Sequence, residues 1–361
     1  MTILLLGRPD APTDGVADYA GRLAAALRAR GRDAHLARVQ WERDGWSRAV
    51  RVLRRDAKGW RGEWVVLQYT ALQWSRRGFP WRVPSVIRAL RRAGCRVAVI
   101  MHDPDLFPRR DGVDALRQAT DVARRFVQRR AMRFMMQHAD RVVHTTGSDE
   151  TLLGASRGSA RVIPVGSNVD IPVMRTAPAA DRAISVFGVS GEPRGTAELQ
   201  EMAAVIRHVL RAVGSVRVEL CGRNSEAAGS VLRGLVVESG AEIVAHGVVS
   251  AAEAGRIIAD STVTILMRGQ ATSGRGSLSA AIACGVPAVA WKGSRTAPPL
   301  TEAGIVIVPS GDVEAFGAAV TRILNDPAYA AALRAKQAEA QRLAFSWDAI
   351  AMRFDEALGN D

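Results

Sequence analysis

The stretch SGRGSLSAAIACGVPAVA, residues 273–290, contains a loop rich in glycine and serine, a short helix of small residues and an apolar strand. Another apolar run, STVTILM at 261–267, precedes this loop, so the order is strand, loop, helix, strand. Both strands are predominantly apolar, which is typical of parallel strands covered by helices on both faces. The region therefore predicts a β-α-β unit of an α/β fold.

The same alternation of strands and helices extends through all 361 residues. The predicted strands lie at 2–7, 33–39, 63–69, 95–102, 140–146, 161–165, 183–188, 216–222, 241–247, 261–267, 286–291 and 303–309. The predicted helices lie at 16–31, 82–93, 112–138, 195–212, 224–239, 251–259, 277–284, 312–325, 327–344 and 346–358. The pattern predicts two Rossmann-like, doubly wound parallel-sheet domains that face each other across a cleft.

A link containing proline and alanine, RTAPAAD at 175–181, separates the two sets of elements. We therefore place an N-terminal domain at 1–175, a C-terminal domain at 181–340 and a last helical segment at 341–361. Apolar residues of the last segment share one helix face, and we expect this segment to pack back toward the N-terminal domain. Ligands of such sheets bind beyond the carboxyl ends of the strands, which predicts a site in the cleft.

Positive charge is concentrated in the first half of the chain. Residues 1–180 hold 32 Lys and Arg against 17 Asp and Glu, a net charge of +15, whereas residues 181–361 hold 17 against 19, a net charge of −2. The asymmetry supports the two-domain division and predicts a polyanionic partner for the first half, such as nucleic acid, anionic lipid or a phosphorylated substrate. The alternative is a surface that is simply solvated by arginine.

Composition excludes several classes of protein. Hydrophobic residues make up 48% and charged residues 24% of the chain, which argues against disorder and against a disulfide scaffold. No apolar run approaches the roughly 20 residues of a membrane span, and no secretory signal is evident. Cys95, Cys221 and Cys284 lie far apart in apolar runs, which predicts buried thiols in a reducing compartment. We expect a cytoplasmic protein.

The loop before the small-residue helix is the strongest candidate binding site. Ser273, Gly274, Gly276 and Ser277 allow a close approach to the backbone, whose N–H groups at a helix start bind anions. Arg275 can pair with a diphosphate through two hydrogen bonds. The alternative is an ordinary glycine-containing helix start, since the loop lacks a fixed phosphate-binding fingerprint.

Three further residues are expected at the same sheet edge of the second half. Gly188 follows the first strand, Arg194 precedes the next helix, and Arg223 follows the second strand. Parallel strands bring such residues together at their carboxyl ends. An ordinary strand–helix turn explains the glycine equally well.

Candidate catalytic residues occur at two strand ends of the first half. Gly15 and Asp18 lie between the first strand and its helix, where Asp18 can accept hydrogen bonds from hydroxyls or simply favour the helix dipole. His102 and Asp103 end a strand, and His102 can donate to a hydroxyl or phosphate, act as a general base, or be structural. The other histidines show no metal-ligand spacing, so no metal site is predicted.

A helix at 117–140 carries six arginines interleaved with apolar residues. Such a basic amphipathic helix can lie on an anionic membrane, or it can have one core face and one solvated face. Six tryptophans between 41 and 81 share this half and suggest an interfacial or carbohydrate-stacking surface, although Trp64 opens a strand and is expected in the core.

These segments together resemble the retaining glycosyltransferases of family 4, which have the GT-B fold. In the first half the resemblance rests on GVADYAGRLAAAL at 15–27, MHD at 101–103 and RVIPVGSNV at 161–169. In the second half it rests on AAIACGVPAVA at 280–290 and AGIVIVPSGDVEAFGAAVTRIL at 303–324. It covers nearly the whole chain, and the order and spacing of the motifs are more specific than any single motif.

The resemblance implies a hexosyltransferase that moves a sugar from a nucleoside-diphosphate sugar, of the UDP or GDP type, to an acceptor hydroxyl with retention and without a metal. The C-terminal domain would bind the donor through the loop at 273–277, with His102 against the donor sugar and Gly15 at the cleft floor. The N-terminal domain would bind a glycan, lipid-linked or phosphorylated acceptor. The implied setting is bacterial glycan or polysaccharide biosynthesis, peripheral to the inner face of the cell membrane, without a specific nucleic acid partner.

The chain departs from the family pattern at several positions. Family members carry two Glu residues, eight apart, that hold the donor sugar and the ribose, and these positions are Thr272 and Ala280 here. The family's Arg after the first strand of the second domain is Val189, while Arg194 stands in for its Lys. We expect Arg275 to compensate. Two alternatives therefore stay open, a non-catalytic partner protein that has lost donor binding and a sugar-nucleotide epimerase. A nucleic-acid binder is suggested by charge alone.

Overall fold

The computed structural model describes residues 1–359 apart from 11–12, 103–105, 108–113, 148–159, 172–181, 192–193 and 238–239. Contacts within the chain divide it into two compact units. Unit 1 comprises Met1–Pro164 together with Ile350–Asp361, and unit 2 comprises Val165–Ala349. The predicted link at 175–181 lies outside the described residues.

Unit 1 is built on a parallel sheet of six strands. They are β1 (Thr2–Leu6), β2 (Ala34–Arg38), β3 (Trp64–Tyr69), β4 (Arg96–Met101), β5 (Arg141–His144) and β6 (Ala160–Val162). The strand order is β2-β1-β3-β4-β5-β6, and every pairing is parallel. Each residue of β1 and β3 is buried, as expected for central strands with helices on both faces. The order reverses direction between β1 and β3, which opens a crevice beyond their carboxyl ends.

Helices cover both faces of this sheet. They are α1 (Gly15–Ala29), α2 (Trp41–Asp44), α3 (Trp46–Asp56), α4 (Val83–Arg92) and α5 (Ala115–His138). α1 begins where the Asp14 carboxylate accepts a hydrogen bond from the Ala17 N–H at 3.0 Å. α5 begins in the same way, because the Asp114 carboxylate accepts from the Arg117 N–H at 2.8 Å. Aspartate at these positions satisfies donors that the helix itself leaves without a partner.

Unit 2 repeats the architecture with a second parallel sheet of six strands. They are β7 (Ala183–Phe187), β8 (Val216–Cys221), β9 (Ala241–Ala245), β10 (Val263–Leu266), β11 (Ala288–Trp291) and β12 (Ile305–Val308). The strand order is β12-β11-β10-β7-β8-β9, which reverses between β7 and β10. This is the order of a doubly wound nucleotide-binding fold, in which the crevice lies at the point of reversal.

The helices of unit 2 follow its strands in regular alternation. They are α6 (Arg194–Val213), α7 (Ser225–Leu235), α8 (Ala251–Ala259), α9 (Gly276–Cys284), α10 (Val313–Asn325) and α11 (Pro327–Ala340). A π-helical turn, Gln341–Phe345, follows α11 and leads to the last helix, α12 (Trp347–Leu358). Asp312 and Asp326 cap α10 and α11 through their side chains.

The end of the chain belongs to unit 1 from Ile350 onward. Phe354 of α12 is fully buried, which fits the predicted apolar face of this helix. Asp355 accepts hydrogen bonds from Arg32 at 2.6 Å and from Arg30 at 3.1 Å, and Arg141 Nε donates to the Ala357 carbonyl at 3.0 Å. Apolar packing and ion pairs therefore both hold this segment within unit 1.

The predicted α/β class with two doubly wound parallel sheets is confirmed. The prediction of a tryptophan-lined surface is wrong for Trp41 and Trp74, whereas Trp64 lies in the core as expected. Trp41, Trp64 and Trp74 are buried in the core of unit 1, whereas Trp81 is 59% exposed. Trp41 and Trp74 can be buried because their indole N–H groups donate to backbone carbonyls of the unit.

Candidate functional site

The carboxyl ends of β7 and β10 form the centre of the candidate site in unit 2. The strand order reverses between these two strands, and open α/β sheets bind ligands at such a switch point. Gly188 follows β7 with φ of 81°, a left-handed conformation that glycine adopts without strain. Arg268 comes shortly after β10, and a Cβ at position 188 would lie 3.6 Å from its Nη1 atom. A guanidinium group therefore lies directly at the switch point.

Helix α9 begins at this edge of the sheet without a side-chain cap. Its N-cap residue is Arg275, which makes no capping hydrogen bond, and its first turn contains no acidic residue. A Cβ on Gly276 would meet nothing within 4 Å, so the space beside the helix start is open. The first N–H groups of a helix have no acceptor within it, and the helix dipole gives them partial positive charge. This helix start can therefore bind an anion.

The loop that leads into α9 is held by hydrogen bonds within unit 2. The Val165 N–H donates to the Ser273 carbonyl at 2.9 Å, and the Ser279 hydroxyl donates to the Val165 carbonyl at 2.6 Å. Ser273 is buried, and Gly274 and Ser277 are half-buried. Because the rest of α9 is buried from Leu278 onward, packing positions its half-buried first turn.

Arg275 lies beside this helix start. Its Nε atom donates to the Gln270 carbonyl at 3.2 Å. Its Nη2 atom lies so close to Gly269 that a Cβ there would be 2.7 Å away. The loop between β10 and α9 thus carries two guanidinium groups, those of Arg268 and Arg275.

The other predicted donor-binding residues of unit 2 occupy the ends of neighbouring elements. The Arg223 carbonyl accepts a hydrogen bond from the Val189 N–H at 3.3 Å, which places Arg223 beside Gly188. Asn224 has φ of 62°, and its side-chain amide donates to the Val189 carbonyl at 3.0 Å. Arg194 is the first residue of α6 and is exposed.

Glu198 is a candidate that the sequence interpretation missed. Its side chain is buried, and its Oε2 atom accepts a hydrogen bond from the Ser190 N–H at 3.3 Å. Its Oε1 atom is buried without a hydrogen-bond partner in the described part of the chain. Burial raises the pKa of Glu198, and the positive charge of Arg268 partly opposes that effect. A buried carboxylate oxygen without a partner can accept a hydrogen bond from a ligand hydroxyl.

In unit 1, His102 follows β4 and is fixed by its neighbours. Its Nε2 atom lies 2.7 Å from Gln68 Oε1, and the Gln68 amide nitrogen donates to the Val66 carbonyl at 3.4 Å. The Gln68 oxygen is therefore the acceptor, so we assign the imidazole proton to Nε2 and leave Nδ1 as an acceptor. The Tyr19 ring packs edge-on against the imidazole at 4.7 Å. Burial lowers the pKa of His102 to about 3, so the ring is neutral at pH 7.

Gly15 and Asp18 lie in the first turn of α1. Asp18 directly precedes Tyr19, whose ring contacts His102. A Cβ on Gly15 would meet nothing within 4 Å, so the glycine leaves open space there. Asp18 is exposed overall, but partial desolvation and then the negative charge of Asp14 raise its pKa. Asp103 lies outside the described residues. The structure therefore brings His102 and the first turn of α1 together within unit 1.

The exposed face of α5 has two parts. Its first turns expose Leu116 by 78%, Val122 by 53% and Phe126 by 63%. Arg130 and Arg133 continue the exposed face toward the end of the helix. Spacings of four, four and three residues put Val122, Phe126, Arg130 and Arg133 on one face, and Leu116 lies six residues before Val122. The structure thus has an apolar stripe followed by basic residues on the surface of unit 1. Among the described residues no helix is long and apolar enough to cross a membrane.

No protein-family model matches the chain, and no curated protein is significantly similar to it in sequence. Anabaena Alr3699/HepE, solved in complex with UDP and glucose, is similar in structure with a TM-score of 0.67 and 16% identity over 99% of both chains. Sucrose-phosphate synthase from Thermosynechococcus elongatus has a TM-score of 0.68 and 17% identity over 99% of this chain and 98% of that chain. WaaG, a glycosyltransferase involved in lipopolysaccharide biosynthesis, has a TM-score of 0.63 and 12% identity over 100% of both chains. At such identities the similarity shows the fold, and the predicted GT-B fold is confirmed.

Proposed function

We propose that the protein is a family 4 glycosyltransferase that moves a hexose from a nucleoside-diphosphate sugar to an acceptor hydroxyl with retention of configuration, in bacterial glycan or glycoconjugate biosynthesis. The observation that carries the proposal is the uncapped start of α9 at the switch point of unit 2, with Arg275 as its N-cap residue and Arg268 in the loop that precedes it. Backbone N–H groups and guanidinium groups together suit a diphosphate. The complexes of HepE with UDP and with UDP-glucose support a donor of the UDP type, with GDP as the alternative base.

In this proposal the chain's own residues stabilise the leaving diphosphate. Negative charge grows on the β-phosphate as its bond to the sugar breaks. The N–H groups of Gly276 and Ser277 and the side chains of Arg268 and Arg275 are fixed donors for that charge. Because these groups supply the positive potential, the proposal needs no metal ion as a cofactor.

Arg268 also suggests how the chain replaces the arginine that the family carries after the first strand of its second domain. That position is Val189 here, but Arg268 reaches Gly188 from the neighbouring strand β10. Glu198 is in turn our candidate for a carboxylate that binds a donor hydroxyl, because Thr272 and Ala280 occupy the family's Glu positions.

His102 acts in this proposal as a hydrogen-bonding group rather than as a general base. A side chain whose pKa is about 3 is a weak base at neutral pH. Its Nδ1 atom can accept a hydrogen bond from a sugar hydroxyl, because Nε2–H is committed to Gln68. Asp18 is exposed in the neighbouring first turn of α1 and can accept hydrogen bonds from acceptor hydroxyls.

We further propose that unit 1 binds the surface of an anionic membrane through α5. Leu116, Val122 and Phe126 would enter the interface, while Arg130 and Arg133 would contact lipid phosphates. The net charge of +15 over residues 1–180 favours the same surface. This is the placement expected of an enzyme with a lipid-linked acceptor at the inner face of the cell membrane.

A thermal-shift panel tests donor binding. UDP, GDP, ADP, TDP and their common sugar conjugates are added at millimolar concentration to the full-length protein. A ligand at one hundred times its dissociation constant stabilises by about 2.7 kcal/mol, so one base should raise the melting temperature selectively. Arg275→Ala should weaken that ligand by about tenfold or more, since hydrogen bonds to charged groups contribute about 1.5–3 kcal/mol. Arg211→Ala is the matched control. This exposed arginine lies in the last turn of α6, at the opposite end from the predicted site residue Arg194.

The outcomes separate the alternatives. A selective shift that Arg275→Ala reduces, while Arg211→Ala leaves it unchanged, supports the glycosyltransferase. A shift accompanied by conversion of the sugar nucleotide without an acceptor would instead identify an epimerase. The absence of a shift with every nucleotide contradicts donor binding and favours a non-catalytic protein of the same fold.

A further inference from the structure

A cavity of about 470 Å³ lies on unit 1, apart from the residues assigned above. Its aromatic walls come from two segments, the short helices after β2 and the loop after β3. The residues that line it are Trp41, Trp46, Trp74, Ser75, Arg76, Arg77, Phe79, Trp81 and Arg82. Aromatic and cationic side chains therefore dominate the lining.

The aromatic walls are held in fixed positions. The Trp41 and Trp46 rings stack in parallel with centroids 5.1 Å apart, and Trp46 lies 6.4 Å from Trp74. The Trp41 indole N–H donates to the Gln73 carbonyl at 3.0 Å, and that of Trp74 donates to the Gln68 carbonyl at 2.8 Å. Trp81 differs from them, because it is 59% exposed, with the Arg82 guanidinium over one face of its ring. An exposed, flat aromatic face is suited to stacking against the apolar face of a sugar ring.

The cavity lining has more arginine side chains than there are acidic side chains paired with them. Glu42 is shared between Arg76 at 2.8 Å and Arg8 at 3.5 Å. Arg77 is exposed and has no carboxylate partner in the described part of the chain. Arg82 stacks over the Trp81 ring at 4.0 Å, and its Nε atom is buried without an acceptor among the described residues. Guanidinium groups beside an exposed aromatic residue suit a ligand that combines a ring with an anionic oxygen.

The position of the cavity connects it to the proposed chemistry. β3 and β4 are parallel neighbours, so the loop after β3 and His102 after β4 leave the sheet at the same edge. Trp74 donates to the backbone of Gln68, and the Gln68 side chain is the partner of His102. One residue therefore joins the cavity wall to the candidate site of unit 1.

We infer that this cavity is an acceptor subsite for an anionic saccharide, whose ring stacks on Trp81 and whose carboxylate or phosphate is bound by Arg77 and Arg82. The term acceptor rests on the proposed function, but the binding itself does not. A neutral glycan can make only the stacking interaction, and an anion without a ring can make only the ion pairs. Both should therefore bind more weakly.

Calorimetric titration without nucleotide tests the inference. The charged probes are a hyaluronan tetrasaccharide, which carries glucuronate, and maltotetraose 6-phosphate, and the neutral probes are chitotetraose and maltotetraose. At least one charged probe should bind ten times more tightly than its neutral counterpart, with a preference that falls in 0.5 M salt as charges are screened. Comparison of the two charged probes distinguishes carboxylate from phosphate.

Variants of the cavity locate the binding. Trp81→Ala and Arg77→Ala each should weaken the preferred probe by about tenfold, and both side chains are exposed enough to leave the fold intact. Arg54→Ala, an exposed arginine on α3, should leave it unchanged. Equal binding of charged and neutral probes, or no effect of the two cavity variants, overturns the inference. The inference is also overturned if these variants lose binding to phosphatidylglycerol vesicles but keep saccharide binding. The nucleotide panel is a separate measurement, so donor binding and this subsite can fail independently.

Discussion

The half-buried, neutral His102 gives a quantitative prediction about stability and pH. An unfolded histidine has a pKa near 6.5, whereas burial lowers the pKa of His102 to about 3 in the folded protein. As the pH falls from 7 to 5, the unfolded chain takes up a proton at this residue and the folded chain does not. Stability therefore falls with pH, and the linkage relation gives a loss of about 2 kcal/mol over this interval for this one group. Both pH values lie well above about 3, so the folded ring stays neutral throughout.

The variant His102→Gln should remove this dependence. A glutamine amide can still donate to Gln68 Oε1, but it does not titrate. Urea unfolding at pH 7 and pH 5 should show that the wild type loses about 2 kcal/mol more than the variant between the two pH values. Six of the eight tryptophans lie in unit 1, so tryptophan fluorescence follows the unit that contains His102.

His35→Gln is the matched control, because this histidine lies exposed on β2 of the same unit. It should keep the wild-type difference between the two pH values. The reasoning is refuted if His102→Gln loses as much stability as the wild type on going from pH 7 to pH 5. That result would mean that the folded imidazole takes up a proton in this range, and the assignment of Nδ1 as an acceptor at neutral pH would fail with it.

Two further predictions concern the donor site and the membrane surface. Burial raises the pKa of the Glu198 carboxyl above its usual 4.5. As the pH rises from the unfolded pKa toward the higher folded pKa, the unfolded residue ionises first and the folded state loses stability. Glu198→Gln should therefore melt at a higher temperature than the wild type at pH 7 but not at pH 4, and it should bind the donor about tenfold more weakly because a charged hydrogen bond is lost. Glu242→Gln, at an exposed position of β9, should change neither property, and unchanged donor affinity in Glu198→Gln would remove Glu198 from the site. Phe126→Ser should lower binding to phosphatidylglycerol-rich vesicles about tenfold in co-sedimentation, because burial of a Phe side chain contributes about 1.5–3 kcal/mol. Val231→Ser, at a 50% exposed position of unit 2, should have no effect, and equal loss in both variants would contradict a specific role for α5.

The sequence was sufficient for most of the fold because the strands are buried on both faces. Runs such as β3 and β4 are apolar except for Gln68 and Arg96, and this pattern identifies parallel strands without any tertiary information. The helices α2 and α3 were missed, although Trp46, Ala49, Val50 and Leu53 recur at the three- and four-residue spacing of a helix face. They form because α3 buries Leu53 and its neighbours against the rest of unit 1, which only the folded chain shows.

The candidate site could be predicted only where residues adjoin a strand end or a helix start. Gly188 and Arg223 follow adjacent parallel strands, so the sequence order alone predicts that they meet. Arg268 and Glu198 lie in no motif, and their relation to Gly188 and Ser190 depends on the strand order of the folded sheet. The position of Arg268 directly after an apolar run was the one local signal that could have identified it.

The tryptophans illustrate a different limit. Amphipathic side chains between arginines suggest a surface, yet Trp41 and Trp74 are buried because backbone carbonyls accept their indole N–H groups. The sequence does not show which tryptophans find such acceptors. Trp81 and the partly buried Trp46 line the cavity on unit 1, which is the part of the predicted aromatic surface that the structure contains.

The most direct test of the account is a crystal structure of the protein soaked with the nucleoside diphosphate that stabilises it most. The account predicts electron density for the diphosphate within hydrogen-bonding distance of the N–H groups of Gly276 and Ser277, with Arg268 or Arg275 in contact. Density for the nucleotide elsewhere, or an open α9 helix start at saturating ligand, would contradict the central claim that this helix start binds a sugar-nucleotide donor.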